Sequence, residues 1–191
     1  MGSGKIRVFF ALELDAAARV RAAGIAAALR EQTGGRDVRW VREEALHVTL
    51  RFLGSVDPAR VEDLVREVGL ATRGVAPFSA SLAGILLFPS PRRPRVIALG
   101  LEPRETLAAL AAGVERGAVA AGFAPEERPF RPHLTLGRAR DQQRIRLAAG
   151  VTASVTAAGD AWDVMETVLF RSDLAQSGAR YTPLARIPLH P

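Results

Sequence analysis

The tetrapeptide H-x-T-L occurs twice in this chain, at residues 47–50 and 133–136, although the whole sequence of 191 residues holds only three histidines. With the threonine and leucine content of the chain, this repetition has a chance probability of roughly 10⁻⁴. Both copies lie in apolar stretches typical of strands, where the histidine and the threonine point to one face and the two apolar residues to the other. Each copy therefore predicts a strand that presents an imidazole beside a hydroxyl and anchors its opposite face in a core.

The composition excludes several classes of protein. The chain is 48% hydrophobic and has no cysteine, so a core is expected and disulfides, thiol catalysis and cysteine-held metals are excluded. No apolar run reaches the roughly 20 residues of a membrane span, and Glu13 and Asp15 interrupt the short apolar stretch near the amino terminus. We therefore expect a cytoplasmic monomer without a membrane partner, built as a single two-lobed domain over residues 1–191. Residues 1–4 are typical of a remnant left by an expression vector.

The net charge favours a polyanionic partner. It is +6 and is carried almost entirely by arginine, since Lys5 is the only lysine. A positive surface attracts polyanions, of which nucleic acid is the commonest, and the arginines of the proline-rich turn 89–95 are candidates for phosphate contacts. A solvated arginine surface that reflects a GC-rich genome explains the charge equally well. Charge alone therefore does not decide between the two.

Local signals predict the order of helices and strands. Asp15 and Asp57 are placed to cap the amino-terminal ends of two helices, the second reinforced by Pro58. Apolar residues at helical spacing predict a third helix over 104–121, and a shorter one is expected over 141–149. The predicted strands are 6–14, 38–41, 46–53, 78–88, 96–101, a strand beginning at 133, 152–156, 164–170 and 186–189.

The two halves of the chain repeat one order of elements. In each half a helix precedes the H-x-T-L strand and an aspartate begins a further helix soon after it, and the two histidines lie 86 residues apart (133 − 47). Two copies at this distance indicate a diverged internal duplication rather than a solenoid. We therefore expect an α+β fold, a bilobal, pseudo-symmetric duplication with two antiparallel-rich sheets, outer helices and a central groove that carries the two H-x-T-L strands.

Two imidazoles that face a common groove suit a reaction in which one proton is removed and another is delivered. The neighbouring threonine hydroxyls can donate to phosphate oxygens, and an arginine would complete an anion site. A lone His-x-Thr is more often a structural pair, but two copies reverse that preference. His47 and His133 are thus the candidate acid and base, with Thr49 and Thr135 beside them. We expect no metal and no cofactor, because two histidines do not supply the three ligands of a zinc site.

These residues resemble the two-histidine phosphoesterase superfamily, and within it the RNA 2′,3′-cyclic phosphodiesterases, long called 2′-5′ RNA ligases. The paired H-x-T-L is the most specific part of a resemblance that extends over nearly the whole chain. The other parts that carry it are residues 7–12, residues 38–54 with Trp40, the basic turn before Val96, residues 131–138, and a carboxy-terminal segment with Ser172, Leu174, Gly178, Tyr181, Pro188 and Leu189.

The resemblance implies a bilobal enzyme that hydrolyses the 2′,3′-cyclic phosphate of an RNA end or a nucleotide to a 2′-phosphomonoester without a metal. It implies His47 and His133 as the acid–base pair, Thr49 and Thr135 on the phosphate, and Tyr181 among the residues that bind substrate. We assign His133 as the base on the attacking water and His47 as the acid on the departing O3′. The residues alone do not fix that order.

Two arginines compete for the role of phosphate clamp. On an ideal strand Arg51 shares a face with the first histidine and threonine, so geometry nominates Arg51. The resemblance nominates Arg138, which faces the groove only if a bulge or the strand end near Gly137 turns it inward. We favour Arg138. Phe10 or Trp40 is a candidate for stacking on a base, although core packing is the commoner use of each.

Other functions would use the same residues. One is cleavage or ligation of 2′-5′ RNA linkages, and another is hydrolysis of ADP-ribose 1″,2″-cyclic phosphate. A third, from a different class, is an RNA-end-binding module that holds phosphate without turnover. The intact H-x-T in both copies argues against that module, but the sequence does not separate the possible substrates.

Overall fold

The fold is built on two sheets. A computed structural model describes residues 4–33, 37–140, 145, 161–175 and 178–191. The strands within these residues are β1 (Ile6–Leu12), β2 (Val38–Trp40), β3 (Val48–Val56), β4 (Phe78–Phe88), β5 (Val96–Glu102), β6 (His133–Ala139), β7 (Trp162–Val164), β8 (Glu166–Ala175) and β9 (Gly178–Pro188). The first sheet has the order β3-β1-β8-β9 and the second has the order β2-β6-β5-β4-β7. Neighbouring strands run antiparallel, and each sheet holds one H-x-T-L strand.

The helices among the described residues are α1 (Ala16–Gln32), α2 (Val61–Ala71) and α3 (Arg104–Ala120). Asp15 caps α1 as predicted, accepting a hydrogen bond of 2.7 Å from the backbone N–H of Ala18. Asp57 likewise accepts from the N–H of Ala59 at 3.0 Å, but the first turn there is a 3₁₀ helix that precedes α2. None of these helices is long and apolar enough to cross a membrane.

Two helices cross from one sheet to the other. Helix α1 follows β1 of the first sheet but packs against β2, β4 and β6 of the second, and α3 follows β5 of the second sheet and contacts β3 of the first. The buried face of α1 is narrow, since it consists of Ala18, Ala22, Ala26 and Leu29. Buried residues of both sheets and all three helices consequently form one continuous hydrophobic cluster. This shared core fixes the position of one sheet against the other.

Two of the predicted strands were wrong in their bounds. The predicted strand 164–170 is two strands, since β7 ends at Val164 and β8 begins at Glu166 in the other sheet. Strand β9 begins at Gly178, well before the predicted residue 186. It therefore includes Pro183. Proline is tolerated there because β9 is an edge strand of the first sheet. The predicted helix 141–149, apart from residue 145, and the predicted strand 152–156 lie outside the described residues.

Helices α2 and α3 approach each other closely at Gly117. A Cβ atom at this position would lie 2.4 Å from the Cα of Val68 and 2.7 Å from its backbone nitrogen. Backbone atoms cannot move away as the end of a flexible side chain can, so only glycine fits at this crossing. Gly24 in α1 has the opposite surroundings, because a Cβ there would meet nothing within 4 Å.

These two glycines make a matched test of the helix crossing. We expect Gly117→Ala to lower the free energy of unfolding by about 2–3 kcal/mol, because the helices must move apart. Gly24→Ala should raise it by about 0.5–1 kcal/mol through helix propensity alone. Urea unfolding of both variants measures the difference. Equal shifts in the two variants would show that the α2–α3 crossing is not tight at Gly117.

Candidate active site

The two histidines lie at equivalent places in the two sheets. His47 immediately precedes β3, and His133 is the first residue of β6. The apolar residues of both motifs are buried, namely Val48, Leu50, Leu134 and Leu136. The two histidines and the two threonines, Thr49 and Thr135, are partly exposed. Each imidazole therefore shares a face with its threonine, as the motif predicts.

Both imidazoles are held by the same hydrogen bond. The Nδ1 atom of His47 lies 2.8 Å from the carbonyl oxygen of Ala45, and that of His133 lies 2.7 Å from the carbonyl oxygen of Arg131. A carbonyl can only accept, so Nδ1 is the donor in each ring. The neutral rings consequently carry their free lone pair on Nε2, on the side away from the backbone. The two histidines are thus prepared in the same tautomer.

The two imidazoles are also close to each other. Strand β3 contacts β6 directly, and the charge of His133 is among the causes that lower the pKa of His47. We call the space between the face of β3 with His47 and Thr49 and the face of β6 with His133 and Thr135 the groove. The structure thus places the two motif strands in contact, with the two histidines within electrostatic reach of each other.

A β-bulge at the leucine of each motif decides which later side chains reach the groove. In the pairing of β1 with β3, Thr49 lies opposite Ala11 and Arg51 lies opposite Phe10, so Leu50 is an extra residue. One extra residue reverses the faces of the strand beyond it. The position four after the histidine therefore points away from the groove, and the position five after it points toward it.

The same bulge is present in the second sheet. Thr135 lies opposite Ala98 and Gly137 lies opposite Ile97, so Leu136 is the extra residue of β6. A bulge in this strand was the condition under which the sequence allowed Arg138 to face the groove. The two motifs thus share their irregularity as well as their residue types.

The placement of Arg51 in the groove, expected from ideal strand parity, is wrong. Arg51 points to the opposite face, where its Nε lies 2.5 Å from a carboxylate oxygen of Glu115 and its Nη1 lies 3.1 Å from one of Glu126. Its Nη2 also donates to the carbonyl oxygen of Ala124 at 2.6 Å. The side chain is only 9% exposed. Its charge is therefore committed to α3 and to the segment that leads to β6.

Arg138 has the surroundings expected of a groove residue. Burial lowers the pKa of both His47 and His133, and the positive charge of Arg138 lowers each of them further. Burial raises the pKa of Tyr181, and Arg138 opposes that shift. One guanidinium thus acts on three groups from both sheets. Its own side chain is exposed, so it is accessible to an anion.

The positions equivalent to the two arginines differ between the sheets. Phe52 of β3 lies five residues after its histidine, as Arg138 of β6 does. The Phe52 side chain is 50% exposed, and its ring centroid lies 5.2 Å from that of Phe9. Gly137 of β6 corresponds to Arg51, and a Cβ there would lie 2.6 Å from the Cγ1 of Val38. The duplication therefore carries an arginine on one side of the groove and an aromatic ring on the other.

Phe10 is not available to stack on a base, which corrects the expectation for this residue. It is fully buried in the core on the face opposite to the groove. Its neighbour Phe9 lies on the groove face, with ring centroids 4.9 Å from His47 and 5.0 Å from Tyr181. The alternation of Phe9 and Ala11 along β1 was the signal that could have found it. Trp40 is partly buried and packs against the core.

Aromatic rings contact both histidines. The ring of Tyr181, on β9, lies edge-on to His47 with centroids 4.9 Å apart. The ring of Phe88, at the end of β4, lies 5.0 Å from His133, and the guanidinium of Arg131 lies over the Phe88 ring at 4.8 Å. Such contacts restrict the rotation of the imidazoles and exclude water from one side of each. Phe88 and Arg131 were missed because their proximity depends on strand pairing.

The residues of this site offer few ligands to a metal. Among the residues that the structure describes, there is no group of three histidine, aspartate or glutamate side chains able to hold a metal ion. The charges that lower the pKa of the two imidazoles are positive: Arg138 acts on both, Arg19 acts on His47 and Arg131 acts on His133. The arrangement is therefore suited to an anion that accepts hydrogen bonds and is attracted to positive charge.

The chain matches a known family twice. The family described as LigT like phosphoesterase matches residues 12–98 and then residues 99–181, so each match contains one H-x-T-L motif. The chain belongs to the LigT-like phosphoesterase family. The tandem match agrees with the internal duplication inferred from the sequence, and the resemblance to the two-histidine phosphoesterases is confirmed.

Relatives of this phosphoesterase align over nearly its whole length. An RNA 2′,3′-cyclic phosphodiesterase of Methanothermobacter thermautotrophicus is 35% identical over 184 residues, which are 94% of this chain and 97% of the relative. The crystal structure of TT0787 of Thermus thermophilus has a TM-score of 0.78 at 29% identity and covers 96% of this chain and 98% of that chain. Escherichia coli LigT complexed with 3′-AMP has a TM-score of 0.77 at 29% identity and covers 97% and 98%. The predicted α+β fold with two antiparallel sheets is thereby confirmed.

The electrostatic effect of Arg138 can be measured on both histidines at once. Arg138→Met removes a positive charge that lowers both imidazole pKa values, so each pKa is expected to rise and each titration to move to higher pH. NMR titration of the histidine C2–H signals gives the two values separately. Arg140→Met is the matched control, since Arg140 contributes to neither shift. Unchanged titrations in Arg138→Met would place this guanidinium outside the groove.

Proposed function

We propose that this phosphoesterase hydrolyses the 2′,3′-cyclic phosphate of RNA ends or nucleotides to a 2′-phosphomonoester, with His47 and His133 as the acid–base pair. The observation that carries the proposal is the equivalence of the two imidazoles. Each comes from a different sheet, each donates from Nδ1 to the carbonyl two residues before it, and both lie in the field of Arg138. A relative named RNA 2′,3′-cyclic phosphodiesterase supports the substrate class.

The reaction needs one base and one acid on opposite sides of the phosphorus. A water oxygen forms a bond to phosphorus as one imidazole takes its proton, and the bond from phosphorus to O3′ breaks as the other imidazole gives O3′ a proton. The product has a phosphate on O2′ and a free 3′-hydroxyl. The base ends protonated and the acid ends neutral, and exchange with solvent restores both. The proposal assigns the two Nε2 atoms, one from each sheet, to these two positions.

The lowered pKa values of His47 and His133 suit a reaction that uses one ring as base and the other as acid. Burial and the charge of Arg138 favour the neutral form of both rings in the free protein, which is the form that a base requires. A bound phosphodiester carries a negative charge, and an anion near an imidazole favours its protonated form. Substrate binding thus raises the pKa of the imidazole that acts as the acid, which takes up its proton from solvent. Both orders of the two histidines fit the geometry, including the assignment of His133 as base.

Thr49 and Thr135 complete the phosphate site in this proposal. Their hydroxyls share a face with the histidines and are partly exposed, so they can donate to the two non-bridging oxygens. The charge of Arg138 stabilises the additional negative charge that develops on these oxygens in the transition state. We propose Arg138 as the phosphate clamp, since Arg51 is occupied by Glu115 and Glu126.

Catalysis without a metal is part of the proposal. Two imidazoles and two threonine hydroxyls beside an arginine are a weak ligand set for a divalent cation. Turnover of cyclic phosphate is therefore expected to be unchanged after dialysis against EDTA, as measured with a 2′,3′-cyclic mononucleotide. Loss of activity that zinc or manganese restores would replace the acid–base mechanism with a metal-assisted one.

Substitution of each histidine tests the acid–base pair. We expect His47→Ala and His133→Ala each to lower kcat by about 10²–10⁴, and the double variant to be little worse than either single one, because the two groups act as a unit. His190→Ala is the matched control: His190 is exposed near the carboxy terminus and should leave kcat unchanged.

The same assay identifies the product and separates the other functions. The 2′- and 3′-phosphomonoesters are distinguished by chromatography, with cyclic-phosphate-ended oligonucleotides and ADP-ribose 1″,2″-cyclic phosphate as further substrates. Either histidine variant retaining more than about a tenth of kcat would refute the acid–base assignment. Tight binding of RNA ends without turnover would show a binding module instead.

A further inference from the structure

Arg19 reaches from α1 to the turn that precedes His47. Its Nη1 lies 3.3 Å from the carbonyl oxygens of both Glu43 and Glu44, and its Nη2 donates to the carbonyl oxygen of Leu14 at 3.2 Å. One guanidinium thereby joins the connection between β1 and α1 to the short 3₁₀ helix Glu43–Ala45. The proposed reaction does not use this residue directly.

The turn that Arg19 holds supplies the hydrogen bond of His47. Ala45 ends the 3₁₀ helix, and its carbonyl accepts from Nδ1 of His47. The two carbonyls that Arg19 binds immediately precede that of Ala45 in the chain. A planar guanidinium holds several carbonyls in a fixed arrangement, which a flexible ammonium group does less well. Arg19 thus contacts the two carbonyls next to the one that accepts from His47.

We propose that Arg19 is a positioning residue for His47, which holds the 43–45 turn so that His47 keeps Nδ1 protonated and Nε2 free toward the groove. The proposal rests on the proposed function, since it requires His47 to act as an acid or a base. Arg19 does not touch the reacting atoms in this scheme and acts only through the turn and through its charge.

The charge of Arg19 reaches one histidine and not the other. Among the residues that the structure describes, no carboxylate pairs with Arg19. The charged or titratable groups that face His47 are Arg19 from α1, Arg138 and His133 from β6, and Tyr181 from β9. Arg19 lowers the pKa of His47, with a smaller effect than burial or Arg138. It is not among the causes that shift the pKa of His133.

His133 has no equivalent clamp among the described residues. Its Nδ1 donates to the carbonyl of Arg131, but the guanidinium of Arg131 lies over the ring of Phe88 rather than on the backbone of the preceding segment. The motif geometry is therefore the same at the two histidines, and the support behind it differs. A change at Arg19 should affect His47 alone.

The test compares Arg19→Met, Arg19→Lys and the control Arg30→Met, which removes a charge about three turns further along the same helix. Nitrogen-15 NMR of the free protein reports the tautomer of each histidine. In Arg19→Met we expect His47 to populate both tautomers while His133 stays unchanged, with kcat for cyclic phosphate about tenfold lower and KM within about twofold of the parent. Arg30→Met should match the parent in all measurements.

The lysine variant separates geometry from charge. Arg19→Lys keeps the charge and loses the planar fork of the guanidinium. His47 should therefore titrate in this variant as it does in the parent, but kcat should stay nearly as low as in Arg19→Met. In Arg19→Met only one limb of the pH profile of kcat should move, and that limb belongs to His47. An unchanged His47 tautomer in Arg19→Met would overturn the proposal, as would full recovery in Arg19→Lys or equal changes at both histidines.

The NMR measurement distinguishes failure of this proposal from failure of the proposed function. It is made without substrate, so it reports on Arg19 and His47 whether or not the protein turns over cyclic phosphate. A protein without turnover whose His47 tautomer still depends on Arg19 would refute the reaction and keep the structural link. The unchanged signals of His133 serve as the control for correct folding in each variant.

Discussion

The β-bulge at the leucine of each H-x-T-L motif determines the composition of the groove. Because Leu50 and Leu136 are extra residues in their strand pairs, the faces of β3 and β6 reverse immediately after the threonines. The residue four after each histidine turns to the back of the sheet, and the residue five after it turns to the front. Without the bulges Arg51 would enter the groove, and Arg138 would leave it.

The relative position of the two histidines depends on the shared core and on Arg51. The exchanged packing of α1 and α3 places side chains of both sheets in one cluster, so neither sheet can move without disturbing the other. Arg51 adds a polar tie, since its ion pairs with Glu115 and Glu126 join β3 to α3 and to the segment between α3 and β6. The arginine that is excluded from the groove thus links the two strands that carry the catalytic candidates.

The sequence predicted those features whose signals are local. The motif residues, the caps at Asp15 and Asp57 and the strand Phe78–Phe88 depend on neighbours in the chain, and the structure has all of them. The placements of Arg51 and Phe10 failed because they assumed regular alternation, whereas the bulge arises from pairing with another strand. The start of β9 was missed for a similar reason, since the tolerance for a proline depends on whether the strand lies at an edge.

The duplication alone does not explain how two like histidines would take the unlike roles that we propose. The motifs provide two imidazoles with the same hydrogen bond and the same bulge beside them. The proposed reaction needs one ring to accept a proton while the other gives one, so the difference must come from outside the motifs. The structure has such differences where the repeats diverge. Phe52 stands where the other sheet has Arg138, and a guanidinium holds the turn before His47, whereas that of Arg131 lies on an aromatic ring. In the proposed reaction, the division into acid and base would therefore be set by the residues around the two motifs.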